Sequence, residues 1–229
     1  VSQRVREQVE QCLVFENADL LVIDKPSGMA VHAGSGLPWG LIDVLRQSRP
    51  GEYIELVHRL DRETSGCLVL ARSGPALKHL STQIREGLVD KRYLCLLNGR
   101  MQDALIEVDA PLRKVQAGDH GQVEVSSEGK PALTRFRQLQ AWADCTYAEA
   151  ELFTGKTHQI RVHAKHIGHP LAGDDRYAGR ESIKKWKKRG LNRIFLHAHR
   201  LSLIPPTGER LTLNAPLPAA LRNLLDSLE

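Results

Sequence analysis

Segments of period-two hydrophobicity come in groups along this chain, helical segments fall between the groups, and no strand–helix–strand unit repeats. That order predicts an α+β fold with a mixed, mostly antiparallel sheet and flanking helices. Strands are expected over residues 20–24, 55–60, 67–71, 92–97, 146–153, 194–204 and 210–213, and Asn98-Gly99 after the fourth is a hairpin signal. A helix is expected over residues 75–86, where Pro75 opens it, Gly87 stops it, and Leu77, Leu80 and Ile84 share a face. Another is expected over residues 156–167, with Thr157 as cap and Ile160, His163, Ala164 and Ile167 on the apolar face. Residues 1–12 and 218–228 read as short terminal helices. Residues 116–130 form a polar, glycine-containing loop and not a linker, so residues 1–229 are expected to be one domain.

Charge is unevenly distributed. The 229 residues carry 32 Lys and Arg against 27 Asp and Glu, a net +5. Residues 154–200 hold 12 of those cations and three acids, Asp174, Asp175 and Glu181, a balance of +9. The other residues therefore sum to −4. One strongly basic segment in an otherwise slightly acidic protein suits a polyanion, nucleic acid before anionic lipid. A solvated lysine-rich surface is the plainer alternative.

Cys12, Cys67, Cys95 and Cys145 form no C-x-x-C pair, which argues against a zinc knuckle or a disulfide scaffold and favours the cytoplasm. No apolar run approaches the roughly 20 residues that span a bilayer.

Three stretches could carry chemistry. In Leu56-Val57-His58-Arg59-Leu60-Asp61-Arg62-Glu63-Thr64-Ser65-Gly66, alternation sets Leu56, His58 and Leu60 on one face and Val57, Arg59 and Asp61 on the other. Asp61 then lies where a strand gives way to a connector, a place where a rigid support displays reactive groups. It could equally cap a turn, with Arg59 and Arg62 as surface partners. In the stretch 154–163 and just beyond it, His158, Arg161 and Lys165 line a basic stripe near a helix start, suited to phosphate or to simple solvation. In Lys184-Lys185-Trp186-Lys187-Lys188-Arg189, five cations surround one indole that could stack on a base or anchor the segment to the domain. The histidines at 158, 163, 166 and 169 lack H-E-x-x-H spacing and an intervening acid, so no metal ligand is assigned among them.

Together these stretches resemble the RluA-type pseudouridine synthases, and among them the RluC-like enzymes of bacterial large-subunit ribosomal RNA. The resemblance runs from about Cys12 to Leu228. It is strongest at His58-Arg59-Leu60-Asp61-Arg62-Glu63-Thr64-Ser65-Gly66, with support from residues 24–32, 91–94, 157–163, 168–174 and 195–198. It implies a pseudouridine synthase fold with a central basic cleft, and isomerisation of uridine in large-subunit ribosomal RNA by a monomeric, cytoplasmic enzyme without cofactor or metal. It further implies that Asp61 is the catalytic aspartate, Arg161 the arginine paired with it, and Tyr93 the tyrosine that stacks on the target uracil. Arg59 would fill the place of the flipped base, and Leu196 would lie beneath the flipped ring. RNA contacts are expected from Arg62, Lys156, His158, Lys165, Lys184, Lys185, Trp186, Lys187, Lys188 and Arg189. Two departures stand out. The family usually has arginine where Lys156 stands, and many members carry an S4-type RNA-binding domain ahead of this region. None is visible after the Val1 start, so an isolated catalytic domain is expected.

Overall fold

The computed structural model describes residues 1–34, 38–115 and 122–228. Two compact units emerge, Val1–Asp90 with Ala198–Pro216, and Lys91–His197 with the segment from Leu217 onward.

The first unit opens with helix α1 (Gln3–Glu10), capped by the Ser2 hydroxyl, which accepts from Val5 N–H. Strand β1 (Leu13–Glu16) is antiparallel to β2 (Leu20–Lys25). Helix α2 (Leu41–Ser48) follows, its first turn held by the Asp43 carboxylate accepting from Gly40 N–H at 2.8 Å. After the two-residue β3 (Glu55–Leu56) comes β4 (Ser65–Ala71), which pairs with both β2 and β3. Every residue of β4 is buried, which marks it as a central strand covered on both faces. Helix α3 (Gly74–Arg85) is capped by Ser73 and places Leu80 in a core with Leu20, Val22, Cys67 and Val69.

One expectation is corrected in this region. The strand predicted over 55–60 stops at Leu56, because beyond Val57 the His58 side chain replaces the backbone as partner of β4. His58 Nε2 accepts from Val69 N–H at 3.0 Å, so the chain swings away from the ladder. Arg59 is then exposed and Leu60 buried.

The second unit begins with β5 (Asp90–Asn98), followed by β6 (Leu105–Asp109) and a separate hairpin of β7 (Leu112–Val115) and β8 (Gln122–Val125). Next come β9 (Leu133–Ala141) and β10 (Cys145–Leu152), and the strand order is β5-β10-β9-β6, antiparallel throughout. Asn98-Gly99 is therefore no hairpin turn: β5 pairs with β10, and Asn98 is spent on tertiary anchoring. Its side chain donates to Pro170 O and accepts from Ser182 and the Trp186 indole. Of the predicted loop over 116–130, residues 116–121 lie outside the described residues and Gln122–Val125 is β8.

Helix α4 (Gln159–His166) is shorter than predicted, and its cap is His158, not Thr157. Helix α5 (Arg180–Lys188) carries the lysine-rich run around Trp186, for which no helix was expected. Strand β11 (Leu196–Leu203) passes into the first unit at Ala198, where it pairs with β12 (Leu211–Asn214) and lies beside β4. Helix α6 (Ala219–Asp226) returns to the second unit and buries Leu221 and Leu224 in a core with Leu96, Trp186 and Phe195.

Gly66 shows how closely the first unit is drawn together. Its φ is +112°, and a Cβ there would stand 2.2 Å from Ala198 O of β11. Gly66→Ala combines left-handed strain with a backbone clash, an expected loss on the order of 3 kcal/mol. Urea unfolding measures it, and an unchanged midpoint would mean that β4 and β11 part without cost.

Candidate active site

Asp61 sits, half-buried, in the first unit at the start of a tight turn closed by Thr64 N–H donating to Asp61 O at 3.1 Å. The turn is tied to the loop after β2 at several points. Lys25, at the end of β2, has no exposed surface, and its ammonium donates to Pro26 O and Met29 O at 2.8 Å and to Arg62 O at 3.0 Å. Gly28 N–H also donates to Arg62 O, the Ser27 hydroxyl donates to Glu63 O at 2.7 Å, and Arg62 Nε donates to Gly28 O at 2.9 Å. Three carbonyl dipoles converge on one desolvated cation, so neither loop moves without leaving a buried charge short of partners. The two sequence stretches at 24–32 and 58–66 thus form a single rigid support for Asp61. Arg62, expected to meet phosphate, is turned inward by that bond, although its side chain stays largely exposed.

Tyr93 stands on β5 in the second unit, 8% exposed and opposite Ala150 of β10. Its neighbour Lys91 is also buried, and its one hydrogen bond among the described residues is a 3.4 Å contact to Thr154 O. Burial pushes the Lys91 ammonium below the usual lysine range, and the positive charge of Lys156 pushes it the same way.

Arg161 corrects the sequence reading. It does not lie on a solvated stripe but is buried on α4, where Nε donates to Asp174 Oδ2 at 2.8 Å and Nη2 to Asp174 Oδ1 at 2.6 Å. Its guanidinium carbon lies 5.2 Å from the centre of the Tyr177 ring. The Tyr177 hydroxyl accepts from Val123 N–H at 3.2 Å and lies 2.8 Å from His158 Nδ1. His158 is the one non-glycine residue with positive φ among those described, +54°. Asp174 and Tyr177 received no role from sequence, although Asp174 closes the 168–174 stretch. A buried acid that answers a basic helix leaves no local signature.

His163 and His169 are structural. His163 is fully buried between Thr134 Oγ1 and Ala110 O, each at 2.8 Å, and burial lowers its pKa. His169 Nδ1 donates to Asn98 O. Among the described residues no three His, Cys, Asp or Glu side chains gather in a way that would hold a metal ion.

The basic helix α5 also differs from expectation. Trp186 is fully buried, its Nε1 donates to Asn98 at 2.7 Å, and its ring packs with Phe195 and Leu96, so it anchors the helix and does not offer a face to a base. Lys185 and Arg189 both pair with Asp144, at 3.0 and 2.8 Å, and Lys184 pairs with Glu181. Lys187 and Lys188 are exposed, as is Lys165 of α4, whose ammonium lies 5.8 Å from the Tyr177 ring. Lys156 is half-buried, and Leu196 is buried at the start of β11.

Arg189 first, then Lys185, pull the Asp144 carboxyl down to about 2. A lowered carboxylate pKa stabilises the fold above the ordinary carboxylate range and is lost as pH falls toward that value. Asp144→Asn should therefore destabilise the fold at pH 7 by no more than about 1 kcal/mol, read as a lower melting temperature, because the pair is solvent-screened. The gap from wild type should close as pH falls from about 4 toward 2. A gap independent of pH would assign the stabilisation to something other than the carboxylate charge.

Comparison with known proteins adds a family. The profile of the RNA pseudouridylate synthases matches residues 19–166. "Ribosomal large subunit pseudouridine synthase C" of Yersinia pestis is 48% identical over 221 residues, covering 95% of this chain and 69% of the relative. The proteins of the same name from Escherichia coli K12 and Haemophilus ducreyi are 46% and 44% identical, covering 94% and 96% of this chain and 69% and 70% of the relatives. Among solved structures, human RNA pseudouridylate synthase domain containing 4 superposes with a TM-score of 0.81 at 25% identity, covering 98% of this chain and 95% of that one. Human RNA pseudouridylate synthase domain containing 1 gives 0.75 at 27%, covering 94% and 93%.

Proposed function

Because the chain belongs to the RNA pseudouridylate synthase family, we propose that it isomerises specific uridines of bacterial large-subunit ribosomal RNA, with Asp61 as the essential aspartate. It is an RNA pseudouridine synthase, an intramolecular isomerase. The choice of ribosomal RNA is carried by one observation, the 44–48% identity over nearly the whole chain to relatives named for that substrate.

The reaction is balanced within the nucleotide. The N1–C1′ glycosidic bond breaks, the uracil turns, a C5–C1′ bond forms, and the proton on C5 is lost while N1 gains one. No oxidant, reductant or second substrate enters. The Asp61 carboxylate acts in its ionised form, as nucleophile or as base. Its placement on a strapped turn supports that role, since a reacting group gains from a fixed position. Tyr93 is assigned to stacking on the uracil and to handling the C5 proton, and Arg161 to the reaction as its buried guanidinium, both by motif correspondence. Arg59, exposed on the stretch leading into Asp61, is assigned to the gap left when the uridine is flipped, a step costing ~2–4 kcal/mol. Leu196 is assigned to the apolar support of the flipped ring.

Phosphate attraction comes in this reading from Lys156, Lys165, His158 and the outer lysines of α5. Lys184, Lys185 and Arg189, already paired with acids, contribute less than their number suggests. A cytoplasmic monomer is part of this reading, the location following from a ribosomal RNA substrate. Among the described residues no helix is long and apolar enough to cross a membrane.

Asp61→Asn is expected to abolish tritium release from large-subunit ribosomal RNA labelled at uridine C5, while RNA retention on a filter stays near wild type. Wild-type turnover by this variant would remove Asp61 from the reaction, and loss of both activities together would assign it to binding.

A further inference from the structure

We propose that Asp174 is a positioning residue for Arg161, holding its guanidinium in one orientation for the reaction; this rests on the assignment of Arg161 above. Arg161 donates twice along one edge of its fork, from Nε and Nη2, to the two carboxylate oxygens of Asp174. A bidentate pair of this kind fixes the plane as well as the place of the guanidinium.

Asp174 is itself immobilised. Its side chain has no exposed surface, Oδ1 also accepts the N–H groups of Arg176 and Tyr177 at 3.0 and 3.1 Å, and its own N–H donates to Leu171 O. The Tyr177 ring lies against the guanidinium, and the Tyr177 hydroxyl is held between Val123 N–H and His158. The arginine is thus oriented by a carboxylate and lined by an aromatic face, both locked to backbone.

Stability alone is a weak reason for such a cluster, since buried ion pairs roughly break even against apolar residues of the same volume. Long-range attraction of RNA is also a weak reason. Asp174 cancels the charge of Arg161, so the pair adds nothing net to the field of the basic segment. What the arrangement supplies is direction, which matters to a group acting at short range. Removing the acid should therefore damage turnover without damaging affinity.

The test compares Asp174→Asn, Arg161→Lys and the double variant, in tritium release from C5-labelled large-subunit ribosomal RNA. Asp174→Asn is expected to lower kcat by ~100-fold, the scale of a misplaced reacting group, with KM for RNA unchanged or lower. The double variant should be no slower than Arg161→Lys alone, because Asp174 acts through the arginine. A kcat for Asp174→Asn within about threefold of wild type, or losses that multiply in the double variant, would overturn the positioning role. Full turnover by Arg161→Lys is a different failure and would overturn the assignment of Arg161 itself. Should Asp174→Asn not fold, the Nε–H resonance of Arg161 in the wild-type protein decides: slow solvent exchange supports the clamp, and rapid exchange overturns it.

Discussion

The ammonium of Lys25 is the point on which the Asp61 region depends. A lysine without exposed surface has surrendered its water, and the three carbonyls of Pro26, Met29 and Arg62 replace that hydration. Two of those carbonyls belong to the loop after β2 and the third to the turn that begins at Asp61. Displacing either loop strands a cation, so an otherwise short and polar connector is held as firmly as a strand. Gly66 completes the arrangement from the other side, since only a residue without Cβ lets β11 approach so closely.

In the second unit the controlling theme is charge matched within the fold. The segment from 154 to 200 reads as a +9 polyanion attractor, yet its acids and Asp144 are placed against specific cations. Arg161 is oriented by Asp174, and Lys185 with Arg189 flank the Trp186 indole while gripping Asp144. Cations that pair in this way shape the protein, and the exposed Lys165, Lys187 and Lys188 are left to shape the field around it. The buried Lys91 beside the positive Lys156 adds a short-range tension that the distribution along the chain does not reveal.

Much of the architecture is legible residue by residue. Residues 20–24 and 67–71 foretell β2 and β4 because unbroken apolar runs have little choice but a covered strand. Pro75 and Gly87 bound α3, since one cannot donate within a helix and the other readily adopts the +71° φ that ends it. Legibility fails where a side chain takes over a backbone role. His58 captures the Val69 N–H and cuts β3 short, Asn98 is drawn from a turn into an anchor, and Trp186 turns a lysine-rich run into a docked helix.

The chemistry-bearing stretches, the α+β class and the family are written locally, in motifs whose residues are adjacent along the chain. Asp61 at the head of a connector and Tyr93 on a strand need no more than that to be found. The environment of each group is another matter. That Arg161 is buried against Asp174, that Lys25 holds the Asp61 turn, and that His163 is a neutral core residue all follow from contacts 13 to 53 positions apart. Desolvation and hydrogen bonding act through space, so whether a charged side chain attracts RNA, orients a neighbour or braces a loop is decided by what folding places beside it.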